Sequence, residues 1–313
     1  MRYLILGGGG FIGSSIADRL LSIGHNVRIF ERPRVIPFRS FSVQEKIEWQ
    51  TGDFQSKADI EEATDGCDII FHLISTTLPK NSSSDPIYDV ESNLVPALSL
   101  FNCALRCGVK KIIFISSGGT VYGVPQQVPI PETHPTDPLV PYAITKLAIE
   151  KYLYFFHAMH GLEYSVLRVA NPFGDRQRVG TGQGAVATFI SKAIADEPIE
   201  IWGDGTVTRD YIYIDDVVDA FISAIDYSGE PRVFNIGSGC GRSVNELITT
   251  IEALIEKPIH RCYLPARAFD VPVNILDISR AQSILGWNPK FSFQEGLRRT
   301  ISWIKKNEDI TKC

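Results

Sequence analysis

Tyr142 and Lys146 stand four residues apart in Tyr-Ala-Ile-Thr-Lys. Positions i and i+4 share one face of a helix. An ammonium beside a phenol favours the phenolate and lowers its pKa from about 10, which makes the tyrosine a usable acid or base near neutral pH. The bare pattern also describes a solvated helix face, so its weight comes from its surroundings. Upstream, an apolar strand pattern over Ile113–Ser117 runs into Ser116-Ser117-Gly118-Gly119-Thr120-Val121-Tyr122-Gly123. That order puts hydroxyls at the carboxyl end of a strand, where doubly wound sheets bind their ligands.

Near the N-terminus, Gly7-x-x-Gly10-x-x-Gly13 follows one strand length and opens a helical pattern, and the same stretch also reads Gly8-x-Gly10-x-x-Gly13. Glycines there make a tight turn, let backbone N–H groups approach a pyrophosphate, and let the helix pack close to the sheet. The helix N-terminus adds free donors and partial positive charge. Glu31 ends the next strand, 18 residues after Gly13. An acid at that place accepts hydrogen bonds from the adenosine ribose hydroxyls and repels a 2′-phosphate, which favours NAD over NADP. Arg32 follows at once and is the residue that would instead hold a 2′-phosphate. Asp53 and Phe54, in Gly-Asp-Phe after a third strand, are candidates for the adenine side.

These residues need a scaffold, and the hydrophobic pattern supplies one. Strand patterns fall at Arg2–Leu6, Asn26–Phe30, Ile47–Gln50, Ile69–Leu73, Lys111–Ser116 and Tyr164–Val169. Helical patterns fall between them at Phe11–Ile23, Asp59–Thr64, Ser92–Cys107 and Tyr142–His160. Alternation of this kind, with near-continuous apolar strands, reads as a parallel sheet covered on both faces. After Asn171 the alternation weakens. Residues 1–170 therefore read as a dinucleotide-binding domain and 171–313 as a second, smaller one. Asp215–Ile225 and Val233–Ile236 are expected to fold back onto the first sheet, so that the first domain also receives 211–236. Ser243-x-x-Glu246 before an apolar run is a capping box.

The 313 residues carry 44% hydrophobic and 21% charged side chains and a net charge of −5. This is a globular composition, and its mildly acidic balance argues against a nucleic-acid partner. Apolar runs such as Ile69–Ile74 fall far short of the roughly 18–20 residues that span a bilayer. The opening MRYLILGGGG turns to glycine after one strand length, unlike a signal peptide. Six cysteines show no Cys-x-x-Cys spacing. Cys103 and Cys107 lie four apart without a nearby histidine, which reads as packing rather than a metal site. No metal is expected, and the reducing cytoplasm is the expected location.

With these elements in this order, the chain resembles the extended short-chain dehydrogenase/reductases that act on nucleotide sugars, and among them the UDP-glucose 4-epimerase group. The likeness is carried by Gly7/Gly10/Gly13, Glu31, Gly52-Asp53, His72-Leu73, Asn93, Ser116–Gly123, Tyr142/Lys146, Asn171-Pro172, Arg209-Asp210-Tyr211 and Arg267-x-x-Asp270, which span nearly the whole chain. It implies an α/β fold, a doubly wound parallel (Rossmann) sheet with a smaller C-terminal α/β substrate domain. It implies that Phe11, Ile12, Glu31, Asp53, Phe54, Leu73, Asn93 and Ser116 line NAD, and that Lys146 bonds the nicotinamide ribose while tuning Tyr142. It implies that Asn171, Arg209 and Arg267 hold the diphosphate of a nucleotide sugar, where arginine forks suit phosphate. Asn274 falls where the family tunes room at the sugar C2, and its middling size accommodates plain and N-acetylated hexoses.

One departure stands out. The family usually carries Ser or Thr where this chain has Gly118, so the hydroxyl that relays the sugar proton must come from Thr120 or Ser117, with Thr120 favoured. The turn Gly118-Gly119-Thr120 holds no acid, which argues against a 4,6-dehydratase. The reaction expected is C4 epimerisation of a nucleotide sugar through a transient 4-keto sugar. The alternative is an NAD(P)H-dependent reductase of a nucleotide-linked 4-keto-6-deoxy sugar. A non-catalytic NAD-sensing protein would have no need of Tyr142 and Lys146. The resemblance further implies a homodimer through the helices Ser92–Cys107 and Tyr142–His160; Tyr152, Phe155 and Phe156 fit either a partly apolar outer face or the intramolecular core.

Overall fold

Apolar strands alternate with helices through the first half of the chain. The computed structural model describes all residues except 38, 180–183, 267–270 and 308–313. The order begins β1 (Arg2–Leu6), α1 (Phe11–Ser22), β2 (Asn26–Glu31), β3 (Ile47–Thr51), α2 (Lys57–Thr64), β4 (Ile69–His72), α3 (Pro86–Asp89), α4 (Val95–Arg106), β5 (Lys111–Ser117), α5 (Pro141–His160) and β6 (Glu163–Val169). It continues β7 (Asn171–Phe173), α6 (Ala185–Ile194), β8 (Ile199–Trp202), β9 (Thr208–Tyr213), α7 (Ile214–Ser223), β10 (Val233–Ile236), β11 (Gly241–Ser243), α8 (Val244–Ile255), β12 (Arg261–Leu264), β13 (Val273–Asn274), α9 (Ser279–Leu285) and α10 (Phe293–Lys306).

The main sheet has seven strands in the order β10-β6-β5-β4-β1-β2-β3. Its pairings from β5 through β3 are all parallel. The chain winds outward one way from β1 to β3, then crosses back to β4 and onward. The order reverses between β1 and β4, and such a reversal opens a crevice at the strands' carboxyl ends. The central strands are buried on both faces, with Leu4, Ile5, Leu6, Ile70, Phe71, Ile112, Ile113 and Phe114 fully enclosed. Phe101, Ile149, Leu153 and Phe156 belong to the core cluster on one side of it. Each such side chain contributes about 1.5–3 kcal/mol by leaving water.

Local chemistry moves two helix starts away from the sequence expectation. α2 begins at Lys57, because Ser56 accepts from the Asp59 N–H and caps an extra turn. The helix expected over 92–107 is instead a π turn over Val90–Leu94 followed by α4. Pro96 has no N–H to give the Ser92 carbonyl, and the Val95 N–H reaches back to Val90 O across five residues. α5 starts with Pro141 in its first turn and ends at Gly161 in the left-handed conformation. β10 joins the main sheet.

Two compact units emerge. Unit 1 comprises 1–121, 138–168 and 218–234, and unit 2 comprises 122–137, 169–217 and 235–313. Segment 122–137, read from sequence with the first domain, lies in unit 2. So do residues 211–217, because β9 is the centre of a sheet within unit 2. β7 and β13 run parallel to β9, and β11 runs antiparallel to it. A separate parallel pair joins β8 and β12. The capping box is present at the start of α8, where Ser243 and Glu246 satisfy each other's backbone N–H.

Candidate active site

β1 delivers the chain into the glycine turn. Gly7 has φ +84°, a conformation that disfavours a side chain, and its N–H bonds Phe30 O at 2.9 Å. Gly13 is required for a different reason: a Cβ there would lie 2.3 Å from Gly7 O. The turn therefore packs against the first turn of α1. Gly10 is the N-cap and gives no side-chain cap, and the first turn of α1 holds no acidic residue. Its N–H groups, starting with Phe11 and Ile12, form a bare positive helix end suited to a pyrophosphate. Glu31 ends β2 almost fully buried, accepting from Gly9 N at 3.2 Å and Arg32 N at 3.0 Å. A carboxylate has further lone pairs for ribose hydroxyls. This cradle fits a dinucleotide. Arg32 itself is exposed, as is Asp53, whose Oδ1 accepts from Gln55 N. Phe54 is buried and turns inward against His72 at 5.2 Å. Leu73 is half-buried, directly after β4.

Tyr142 and Lys146 both lie on α5. Lys146 is buried, donates to Ile115 O at 3.1 Å and sits 4.7 Å over the Phe114 ring. Its Nζ lies 5.8 Å from the Tyr142 ring centre. Burial pulls Lys146 down to about 8. Tyr142 runs opposite to expectation. Burial pushes its phenol up to about 12, and the negative charge of Asp89 adds to this, while hydrogen bonding with Ser117 works the other way. Desolvation thus outweighs the hydrogen bond from Ser117. Thr120 Oγ1 donates to Ser117 Oγ at 2.8 Å. Ser117 is the hydroxyl that acts on the phenol, and Thr120 stands behind it. Gly118 and Gly119 put no side chain into this turn.

Two expected cofactor residues have their side chains committed elsewhere. Ser116 Oγ donates to Glu150, which is paired with Arg168 at 2.6 Å, all three buried. Asn93 accepts from Thr76 N at 2.8 Å and donates to Thr76 Oγ1 and to Asp89 O. It is thereby a brace for the loop after β4, seated in a π turn. Sequence reasoning missed Asp89, Thr145, Glu150 and Arg168. The available signal was helical spacing: Asp89 precedes Asn93 by four residues, and Glu150 follows Lys146 by four.

Unit 2 gathers the other candidates on β9 and its neighbours. Arg209 pairs in register with Asn274 on β13, and its Nη1 donates to Thr208 O and to Val271 O at 2.6 Å. Asn171 Nδ2 donates to Asp210 O at 3.1 Å. Asn274 is buried. Asp210 is buried and accepts from Ser238 N and Oγ, Gly239 N and Leu276 N. It pins two loops beside Arg209, a role the sequence did not suggest. Arg267 lies outside the described residues.

The NAD dependent epimerase/dehydratase family matches residues 3–237. The UDP-glucose 4-epimerase of Mycolicibacterium smegmatis is 36% identical over 310 residues, covering 97% of this chain and 99% of that one. The crystal structure of UDP-glucose 4-epimerase with UDP-glucose from Thermotoga maritima superposes with a TM-score of 0.93 at 35% identity, covering 98% of this chain and 100% of that one. The Thermus thermophilus UDP-glucose 4-epimerase complex with NAD gives a TM-score of 0.90 at 30% identity, with 98% and 100% covered.

Proposed function

This chain belongs to the NAD-dependent epimerase/dehydratase family, and on that premise we propose that it interconverts the C4 epimers of a UDP-sugar, glucose/galactose or their N-acetylhexosamine forms. NAD supplies reversible hydride acceptance, and the protein supplies binding, orientation and proton transfer. We assign the pyrophosphate to the Gly7–Gly13 turn with the N–H groups of Phe11 and Ile12, the adenosine ribose to Glu31, and the adenine side to Asp53 and the Phe54 backbone. Leu73 lies on the dinucleotide side. Asn171, Arg209, Asn274 and Arg267 are assigned to the nucleotide sugar.

Tyr142 takes the proton of the C4 hydroxyl as the C4 hydride leaves, giving a 4-keto sugar. After that sugar turns over, Tyr142 returns the proton as hydride is delivered to the opposite face. The alignment Thr120–Ser117–Tyr142 supports a proton path through Ser117, and the positive charge of Lys146 favours the phenolate. The observation that carries this reading is the Tyr142/Lys146 pair set beside a strand-end serine whose turn offers no carboxylate, so proton and hydride exchange have residues to serve them and loss of water does not.

The test has two steps. Denaturing the purified protein should release close to one NAD per chain. Incubation with UDP-glucose should then yield UDP-galactose with no added cofactor consumed, and Tyr142→Phe should lose nearly all turnover while retaining NAD. Stoichiometric consumption of NADH or NADPH on a 4-keto sugar would replace the epimerase reading with a reductase. We further propose a cytoplasmic homodimer that supplies activated sugar for polysaccharide synthesis. The free cysteines suit a reducing compartment. The exposed Ile144, Tyr152, Phe155 and Met159 on α5 form an apolar face for a second copy, while Phe156 is spent in the core. Light scattering on the purified protein decides the oligomeric state.

A further inference from the structure

Asp89 is fully buried at the end of α3, and among the described residues no lysine or arginine forms an ion pair with it. Its two carboxylate oxygens accept instead from neutral hydroxyls, Thr77 after β4 and Thr145 in α5. Its carbonyl accepts from Asn93 Nδ2 at 2.9 Å. A buried carboxylate held only by neutral donors is costly unless positive charge stands nearby. Thr145 directly precedes Lys146 in the helical turn that begins at Tyr142, so its hydrogen bond fixes the carboxylate against the turn that carries both.

Lys146 presents the converse problem. Its ammonium is buried on an aromatic face with one backbone carbonyl and, among the described residues, no carboxylate in contact. Among the described residues, the titratable and charged groups that interact with this cluster include Tyr142, Lys146 and Glu150 from α5, His72 from β4 and, through Glu150, Arg168 from β6. Glu150 is tied to Arg168. His72 is held neutral by burial, and neither ring nitrogen has a hydrogen-bond partner among the described residues. Asp89 is the charge left to balance Lys146.

We propose that Asp89 is a positioning residue of the reaction: clamped by Thr77 and Thr145, its carboxylate is the fixed counter-charge that keeps Lys146 protonated beside Tyr142. It touches neither substrate nor cofactor. Its own charge opposes the Tyr142 phenolate directly, so it favours proton loss only through the lysine, whose ammonium stabilises the phenolate when Tyr142 gives up its proton. The negative charges that raise the proton affinity of Lys146 are those of Asp89 first and Glu150 second, consistent with this arrangement. The inference rests on Tyr142 as the base of the proposed epimerase, but it is tested without turnover.

The experiment is a titration of Lys146 by NMR on lysine-labelled protein without substrate, its resonance assigned by loss in Lys146→Met. Asp89→Asn should lower the midpoint by about one unit. The double variant Thr77→Val/Thr145→Val keeps the carboxylate but strips the donors that hold it in place, and should move Lys146 the same way by less. The alkaline limb of turnover should shift with the titration in each variant. A Lys146 midpoint unmoved in whichever of the two variants folds overturns the proposal, even where activity falls. A shifted midpoint in a protein that fails to epimerise UDP-sugars upholds the role of Asp89 and sinks the proposed reaction instead.

Discussion

Replacing Glu150 by glutamine would leave the Arg168 guanidinium, 5% exposed, without the carboxylate that now lies 2.6 Å away. Both Nε and Nη2 of Arg168 donate to that carboxylate, and Ser116 donates to it as well. Glutamine keeps an acceptor for Ser116 but removes the charge. Breaking a buried pair from one side costs about 3–5 kcal/mol, because the surviving charge stays desolvated. In a cooperative unit of 150–250 residues each kcal/mol lowers Tm by about 2–4 °C, so the expected fall is about 6–20 °C. Differential scanning calorimetry without added cofactor reads this. Arg168→Met in the Glu150→Gln background removes the stranded charge and should restore at least about 2 kcal/mol. A single variant within about 1 kcal/mol of wild type, or a double variant that merely sums two losses, would refute the view that burial makes this pair indispensable only as a pair.

Ser117→Ala should lower kcat by at least about tenfold, with Thr120→Val lowering it less, since Ser117 is the hydroxyl that acts on Tyr142; the reverse order in a steady-state assay would restore Thr120 as the relay. Gly13→Ala should yield protein without bound NAD, because its Cβ would meet Gly7 O at 2.3 Å, whereas Gly24→Ala, at φ +86° with open space, should lose about 1 kcal/mol and keep NAD. Nucleotide released on denaturation distinguishes them. Lys146 exchanges its proton at about 8 when folded against 10.5 ordinarily. The unfolded chain therefore binds more protons between those values, and this residue makes stability rise with pH across that window, a slope that Lys146→Met should flatten in urea titrations. Asp210→Asn should raise KM for the UDP-sugar about tenfold at unchanged NAD content, since it loosens the loops held through Ser238, Gly239 and Leu276.

What the sequence revealed divides along a physical line. The parallel sheet was legible because strands buried on both faces read as unbroken apolar runs, as in β1 and β4. The glycine turn and the Tyr142/Lys146 pair were legible because local geometry dictates their spacing. The commitment of Ser116 and Asn93 was not. Each is a short polar residue whose partner sits elsewhere along the chain, Glu150 for one and Thr76 for the other. The reversed proton affinity of Tyr142 was hidden for a similar reason, since desolvation depends on what packs around the phenol and leaves no mark in Tyr-x-x-x-Lys. The π turn was foreshadowed by Pro96, whose missing N–H is a local fact. Asp210 stayed silent because its four donors come from two distant loops.

Both compact units are assembled from three separated stretches of chain. Unit 1 takes its last piece at 218–234, within which β10 begins, so a ribosome must deliver some three quarters of the polypeptide before that sheet has its edge strand. Folding of the dinucleotide half therefore waits on synthesis well into the other half, and the early helices and strands must stay soluble meanwhile. It also means that no single cut in the gene separates one unit from the other. A truncation after residue 170 would expose the flank of β6, and an exposed strand flank recruits other chains.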